Sequence, residues 1–231
     1  GNIQRINWII TQWFRTEHYY RSGGWRATWG GEGGGVLLNQ CPHNLDLLQW
    51  LFGMPSKVTA NCQFGRFHDI EVEDAVTALL EYPSGATGVF ITTTGEAPGT
   101  NRLEVAADHG KVVIENGSFQ YTRTEKLVPE HLKSCPTGFD KPAVWNVEIP
   151  ILGGKGEQHL GIMKNFANAI LKGEKLLAPA EEGIHSVELA NAMIYSGSKK
   201  EPVEMPLNGP TYEAFLKEKI ATSTYVKPEV V

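Results

Sequence analysis

The sequence predicts an α+β protein built on an open, mostly antiparallel β-sheet with helices packed on one face. Two observations carry that prediction. Between residues 57 and 123 strand-like segments follow one another through short turns, the signature of antiparallel neighbours. Helical periodicity is confined to one early stretch, 29–53, and to the last third of the chain, and strands in a run followed by helices argue α+β. Helices on one face leave the other face bare. A second copy is its expected cover, giving a homodimer or homotetramer through the sheet face.

Taken in order, residues 2–12 carry Ile6, Trp8 and Ile10 on one side and Ile9 on the other, which predicts a well-buried strand. Its start within two residues of the terminus suggests that sequence is missing ahead of it. Residues 13–30 read as a loop too long for a mere connector. From Trp29 to Gly53, Val36, Leu37, Leu38, Leu45, Leu47, Leu48, Leu51 and Phe52 recur at helical spacing. They predict a mostly buried helix that stops at Gly53 and breaks or kinks at Pro42. Strands are expected at 57–67, 75–82, 86–94, 101–107, 110–115, 118–123 and 145–150. Turns fall at Pro83-Ser84-Gly85, at Asp108-His109-Gly110 and at Asn116-Gly117, the last a hairpin pair. Residues 124–144 show no period and read as surface loop. Helices are expected at 157–172, with Leu160, Met163, Phe166, Ala167 and Ile170 on one side, at 180–195, and at 210–220 behind Pro210.

Composition narrows the function. A formal net charge of -5 without a basic stripe argues against nucleic acid and anionic membranes. No apolar run approaches membrane-spanning length. Cys41, Cys62 and Cys135 are odd in number and irregularly spaced. They read as reduced thiols in a cytoplasmic protein, with neither a disulfide framework nor a zinc pattern. There is no G-x-G-x-x-G after a strand, no P-loop, no G-x-S-x-G and no H-E-x-x-H. No motif for a nucleotide is therefore present, and no metal is expected. Glu73 and Asp74 are adjacent on a strand, so they point to opposite faces and make a poor acid/base pair.

Two groups of residues can carry chemistry. Asn39, His43 and Asp46 fall at helical spacing on one face of the early helix. Of the three, only His43 has an ordinary pKa near neutrality and suits acid/base work. Asp46, one turn on, is placed to orient its ring. A buried or surface histidine of purely structural use is the plainer alternative. The 13–30 loop sets Trp13, Phe14, Tyr19, Tyr20, Trp25 and Trp29 beside Arg15, His18, Arg21 and Arg26. Aromatic faces with planar cationic donors suit a sugar or cyclic polyol, although an ordinary packed loop has the same composition. His159, at the entry to a helix, is a further candidate for the same cleft.

The stretch GGGVLLNQCPHNLDLLQWLFGMPSKV (33–58) resembles the substrate-domain signature of the glucose–fructose oxidoreductase / inositol dehydrogenase (Gfo/Idh/MocA) family. Supporting pieces are Trp25-Arg26, Val72-Glu73-Asp74-Ala75, the Gly85–Thr94 strand and ANAILKGEK (167–175), in order along nearly the whole chain. The resemblance implies a two-domain NAD(P)-dependent dehydrogenase. An N-terminal Rossmann domain there holds the nucleotide and supplies a lysine from a Glu-Lys-Pro motif. Residues 1–231 would be the single substrate-binding and oligomerisation domain, inactive alone, with NAD or NADP expected only in the full-length protein. His43 matches the family's acid/base histidine and Asp46 the position that orients it. Trp25 and Arg26 match a pair at the rim, near cofactor and substrate, and Arg15 and Tyr19 belong with the substrate-contacting loop. Asn39 stands where the family usually has Asp, and an amide cannot take a proton. The expected function is thus the substrate side of a sugar or polyol dehydrogenase; a non-catalytic sugar-binding or oligomerising module is the alternative.

Overall fold

A computed structural model describes residues 1–149 and 156–228. Among these residues nine strands form one sheet: β1 Ile3–Ile10, β2 Lys57–Phe64, β3 Glu73–Glu81, β4 Thr87–Thr93, β5 Asn101–Ala107, β6 Gly110–Glu115, β7 Ser118–Thr124, β8 Val144–Val147 and β9 Val203–Glu204. Their order is β8-β7-β6-β5-β1-β4-β3-β2-β9. The strand nearest the N-terminus lies at the centre, parallel to β4 and antiparallel to β5. Ile6, Trp8 and Ile10 of β1 are buried, as the alternation requires, and Ile9 points the other way. Asn116 and Gly117 both take positive φ, 51° and 74°, which suits the two-residue turn between β6 and β7.

Among the described residues seven α-helices accompany the sheet: α1 Glu17–Arg21, α2 Val36–Asn39, α3 Pro42–Phe52, α4 Val128–Ser134, α5 Gln158–Lys172, α6 Gly183–Lys199 and α7 Gly209–Thr222. Phe90, Ile10 and Leu80 from the strands meet Leu37, Leu45, Leu48, Leu189, Met193 and Ile194 from α2, α3 and α6 in a single core. Gly197 lets α6 lie against β2, because a Cβ there would stand 2.5 Å from Cys62 Sγ. The opposite face carries the exposed Thr77 and Leu79. Along it runs a row of ion pairs: Arg5–Glu104 at 2.6 Å, Arg102–Glu104 at 2.7 Å and Arg102–Glu115 at 2.6 Å.

Several expectations change. The disruption expected at Pro42 is present as a full break: the early helix is two helices, α2 and α3, and the chain leaves the helix by Cys41 and restarts at Pro42. Only Leu45, Leu48 and Gln49 of α3 are buried, while Leu47, Trp50 and Leu51 are exposed. A short helix lying on a sheet buries one stripe and no more. The loop at 13–30 contains α1, and the region 124–144 contains α4. The helix expected at 180–195 runs on to Lys199, and β9, two residues long, was not anticipated. The apolar stripe of α5 exists but is exposed, at Leu160, Met163, Phe166 and Ile170. The predicted strand at 145–150 is β8 at Val144–Val147, and Pro150 lies outside the described residues. The three cysteines are free, and no described helix is long and apolar enough to cross a membrane.

Candidate active site

The site begins with the buried carboxylate of Glu73 at the start of β3. Its oxygens accept the Gly35 N–H at 2.8 and 2.9 Å and the Leu37 N–H at 3.1 Å. Those are the donors that the first turn of α2 leaves without partners, so Glu73 serves as a remote N-cap. Gly35 is required by this approach: a Cβ there would overlap the Glu73 carbonyl oxygen and stand 2.9 Å from Val72 Cγ2. Burial pushes the Glu73 carboxyl up to about 7, against the pull of the Gly35 and Leu37 N–H groups. With α2 pinned this way, Val36 and Leu37 enter the core and Asn39 emerges half-buried at its end.

Asn39 meets the aromatic loop at the hydroxyl of Tyr19. That hydroxyl donates to Asn39 Oδ1 at 2.8 Å and accepts from Arg26 Nη1 at 2.6 Å and Gln40 Nε2 at 3.1 Å. Asn39 Nδ2 donates to the Glu32 carboxylate, which also accepts the Ala27 N–H at 2.7 Å. The Arg26 guanidinium lies 4.3 Å from the Tyr19 ring centre and 4.7 Å from that of Trp25, and the Arg15 guanidinium is 5.0 Å from Tyr19. Trp25 is half-exposed. Behind this turn, Lys227 from the C-terminal segment donates to the carbonyls of Gly23 and Arg26, the latter at 2.8 Å.

Five of the residues singled out in the sequence therefore come together: Arg15, Tyr19, Trp25, Arg26 and Asn39. His43 follows in the first turn of α3, exposed, just past the break at Cys41. Asp46 is exposed on α3, and its carboxylate accepts Gln49 Nε2 at 3.0 Å. It forms no hydrogen bond to His43 among the described residues, so the expected orienting contact is absent. His159 is exposed in the first turn of α5 and takes no part in the cluster's hydrogen bonds. Cys41, between α2 and α3, is buried 3.1 Å from Thr92 Oγ1, and burial pushes its thiol up to about 12. It is a packing residue, not a nucleophile. Among the described residues, no three His, Cys, Asp or Glu side chains group as metal ligands do.

Sequence reasoning missed Glu32, Gln40 and the capping role of Glu73. Glu32 carried a faint signal as the one carboxylate inside the glycine cluster. Gln40 carried none, and the Val72-Glu73-Asp74-Ala75 signal did not reveal that Glu73 caps α2, because Gly35 lies far from it in the chain.

Residues 1–113 match the family described as the GFO/IDH/MocA C-terminal domain. The same stretch is 36% identical over 113 residues to trans-1,2-dihydrobenzene-1,2-diol dehydrogenase of Bos taurus, covering 48% of this chain and 32% of that protein. The chain is thus matched to about a third of that relative's length. Among solved structures, the WlbA dehydrogenase of Chromobacterium violaceum, in complex with NADH and UDP-GlcNAcA, superposes with a TM-score of 0.69 at 27% identity. The match covers 90% of this chain and 56% of that one. A levoglucosan dehydrogenase in complex with NADH shares the fold, with a TM-score of 0.66 at 20% identity over 90% of this chain and 60% of its own.

Proposed function

We propose, from the membership of residues 1–113 in the GFO/IDH/MocA C-terminal domain family, that this chain is the substrate side of an NAD(P)-dependent oxidoreductase. Its substrate class is a hydroxyl-bearing sugar, glycoside or cyclic polyol. The observation that carries the reading is the gathering of Arg15 and Arg26 on Tyr19, with Trp25 against Arg26 and the Tyr19 hydroxyl on Asn39, four residues before the exposed His43. Stacking faces and fixed donors suit a ring with C–H faces and hydroxyls. The similar solved proteins named above act on or hold sugars, which supports the class.

His43 takes the proton from the reacting hydroxyl on a ring nitrogen. Asn39 holds that hydroxyl or its neighbour through its amide and moves no proton. Arg26 and Tyr19 orient the ring, and the exposed Trp25 offers its indole face at the rim, where a planar group can stack. Trp25 and Arg26 are also the residues that would touch a nicotinamide nucleotide. Such a cofactor supplies hydride acceptance when bound. The chain has no glycine fingerprint for it, so we assign its binding to a separate Rossmann domain, with 1–231 as one substrate and oligomerisation domain. We assign the exposed sheet face, with Leu79 and the ion-pair row, to a homo-oligomer contact.

One observation favours a second reading. The side chain of Asn39 is already engaged by Tyr19, Gln40 and Glu32, which suits a binding module without turnover. The test is NAD(P)-linked oxidation of levoglucosan, inositols and nucleotide sugars by the full-length protein, with His43→Ala beside it. The dehydrogenase reading expects turnover that His43→Ala abolishes while the fold survives. Turnover indifferent to His43→Ala removes that residue from the mechanism; sugar binding without turnover selects the module.

A further inference from the structure

Asp74, next to the capping Glu73, is fully buried and faces the loop 66–70. Its carboxylate accepts the backbone N–H groups of Arg66 at 3.1 Å, Phe67 at 2.7 Å and His68 at 3.1 Å. It also lies 3.1 Å from Nδ1 of the buried His68 ring. The other ring nitrogen, Nε2, stands 3.0 Å from the Arg15 carbonyl oxygen. A carboxylate and a carbonyl can only accept, whereas a neutral imidazole has a single N–H. One of the two contacts would then set lone pair against lone pair inside the protein, where an unmet polar group is costly. A protonated ring satisfies both.

We propose that His68 is a positioning residue of the candidate site, an imidazolium that ties the Arg15 backbone to the buried Asp74 carboxylate. The Arg15 N–H is in turn held by the Thr94 carbonyl at 2.9 Å. Both polar groups of its backbone are thereby fixed just ahead of α1, the helix that carries Tyr19. The same loop holds α1 a second time, through the Asp69 N–H and Glu17 Oε1 at 2.9 Å. The His68 ring packs 4.6 Å from that of Tyr20, whose hydroxyl donates to Thr94 Oγ1 at 2.8 Å. Glu73 and Asp74 thus divide the work along one strand: the first holds the Asn39 side of the site and the second, through His68, holds the Arg15–Tyr19 side.

The charged surroundings agree with a protonated ring. Asp74 from β3 and Glu17 from α1 both favour the cation. The Arg15 guanidinium is turned to the Trp13 and Phe14 carbonyls, the Arg66 guanidinium lies over Phe67, and the Tyr225 hydroxyl donates to the Asp69 carbonyl. Burial alone would lower the ring's proton affinity; the Asp74 and Arg15 contacts outweigh it, and the net direction is upward.

The importance of His68 for turnover rests on the dehydrogenase reading, but its charge state does not, so the two can fail separately. Nitrogen-15 NMR of the imidazole rings of the whole chain, from pH 5 to 10, reads that state directly. The His68 signal is assigned by its loss in His68→Gln or, should that variant not fold, by its proximity to the Tyr20 ring. The expected result is two protonated ring nitrogens at pH 7 and a titration midpoint above that of an ordinary histidine. The side-chain resonances of Arg15 and Tyr19 shift with the same midpoint, and Asp74→Asn returns that midpoint toward the ordinary value. A neutral, single-tautomer ring at pH 7, or Arg15 and Tyr19 signals that ignore its titration, overturns the proposal. Loss of turnover with an intact His68 cation would instead sink the dehydrogenase reading alone.

Discussion

Replacing Glu73 by Gln tests whether burial or hydrogen bonding governs the carboxylate that pins α2. In the folded protein the carboxyl is raised from 4.5 to about 7, chiefly by burial. A raised acid binds its proton more tightly folded than unfolded, so its contribution is fully present below 4.5 and is lost as pH rises through 7. At about 1.4 kcal/mol per pH unit, that interval corresponds to roughly 3 kcal/mol. Gln has no proton to lose. Its amide nitrogen does face a backbone donor, which costs on the order of 1–3 kcal/mol at every pH. The offset is constant, so the slope carries the information. Urea unfolding of both proteins at pH 5, 6, 7 and 8, followed by circular dichroism, should show wild type losing roughly 3 kcal/mol relative to Glu73→Gln across that range. Other titrating groups are common to both proteins and cancel. Parallel profiles would refute the raised value. A wild type that gains on the variant with rising pH would mean that the Gly35 and Leu37 donors outweigh burial.

Three further outcomes follow from the same geometry. Gly35→Ala should destabilise by at least about 1–3 kcal/mol, since the added methyl meets the Glu73 backbone and has no room to relax; thermal melting within 2 °C of wild type would show the approach to be loose. Phe90→Ala removes a fully buried ring from the centre of the sheet and should cost about 3–5 kcal/mol in urea unfolding. Asn39→Asp places a carboxylate against Glu32, so one of the pair should titrate upward; stability should fall at pH 8 more than at pH 5, and Glu32→Gln should restore it.

Elements with strong local signals were legible in the chain. The alternation in β1 picks out Ile6, Trp8 and Ile10 whatever their partners, and Asn116-Gly117 names its own turn. Pro42 marked the break between α2 and α3. Helices of five and seven residues, α1 and α4, are shorter than the window in which a helical period can be counted. The two residues of β9 are a strand only because β2 lies beside them. Within the site, the Asn39–His43–Asp46 stripe assumed one continuous helix. The break at Cys41 undoes that spacing, and Asp46 ends on Gln49. The aromatic loop was read from composition alone, and its residues do meet, because Arg26 needs the Tyr19 hydroxyl and the Trp25 face to settle its charge.

The same contrast bears on Asn39, where the family pattern has an acid. Read along the chain, the amide is a loss of charge from the site. In the fold it is half of a pair: Glu32 accepts from Asn39 Nδ2 and from the Ala27 N–H, so a carboxylate stands beside position 39 even though none stands on it. Two ionised carboxylates in that contact would repel, and one would hold a proton. An amide at 39 avoids this, since it donates to the carboxylate on one side and accepts the Tyr19 hydroxyl on the other. A substitution that is a departure in one dimension is therefore an adjustment in three. The residue to vary together with Asn39 is Glu32, seven positions upstream, not the next turn of the helix.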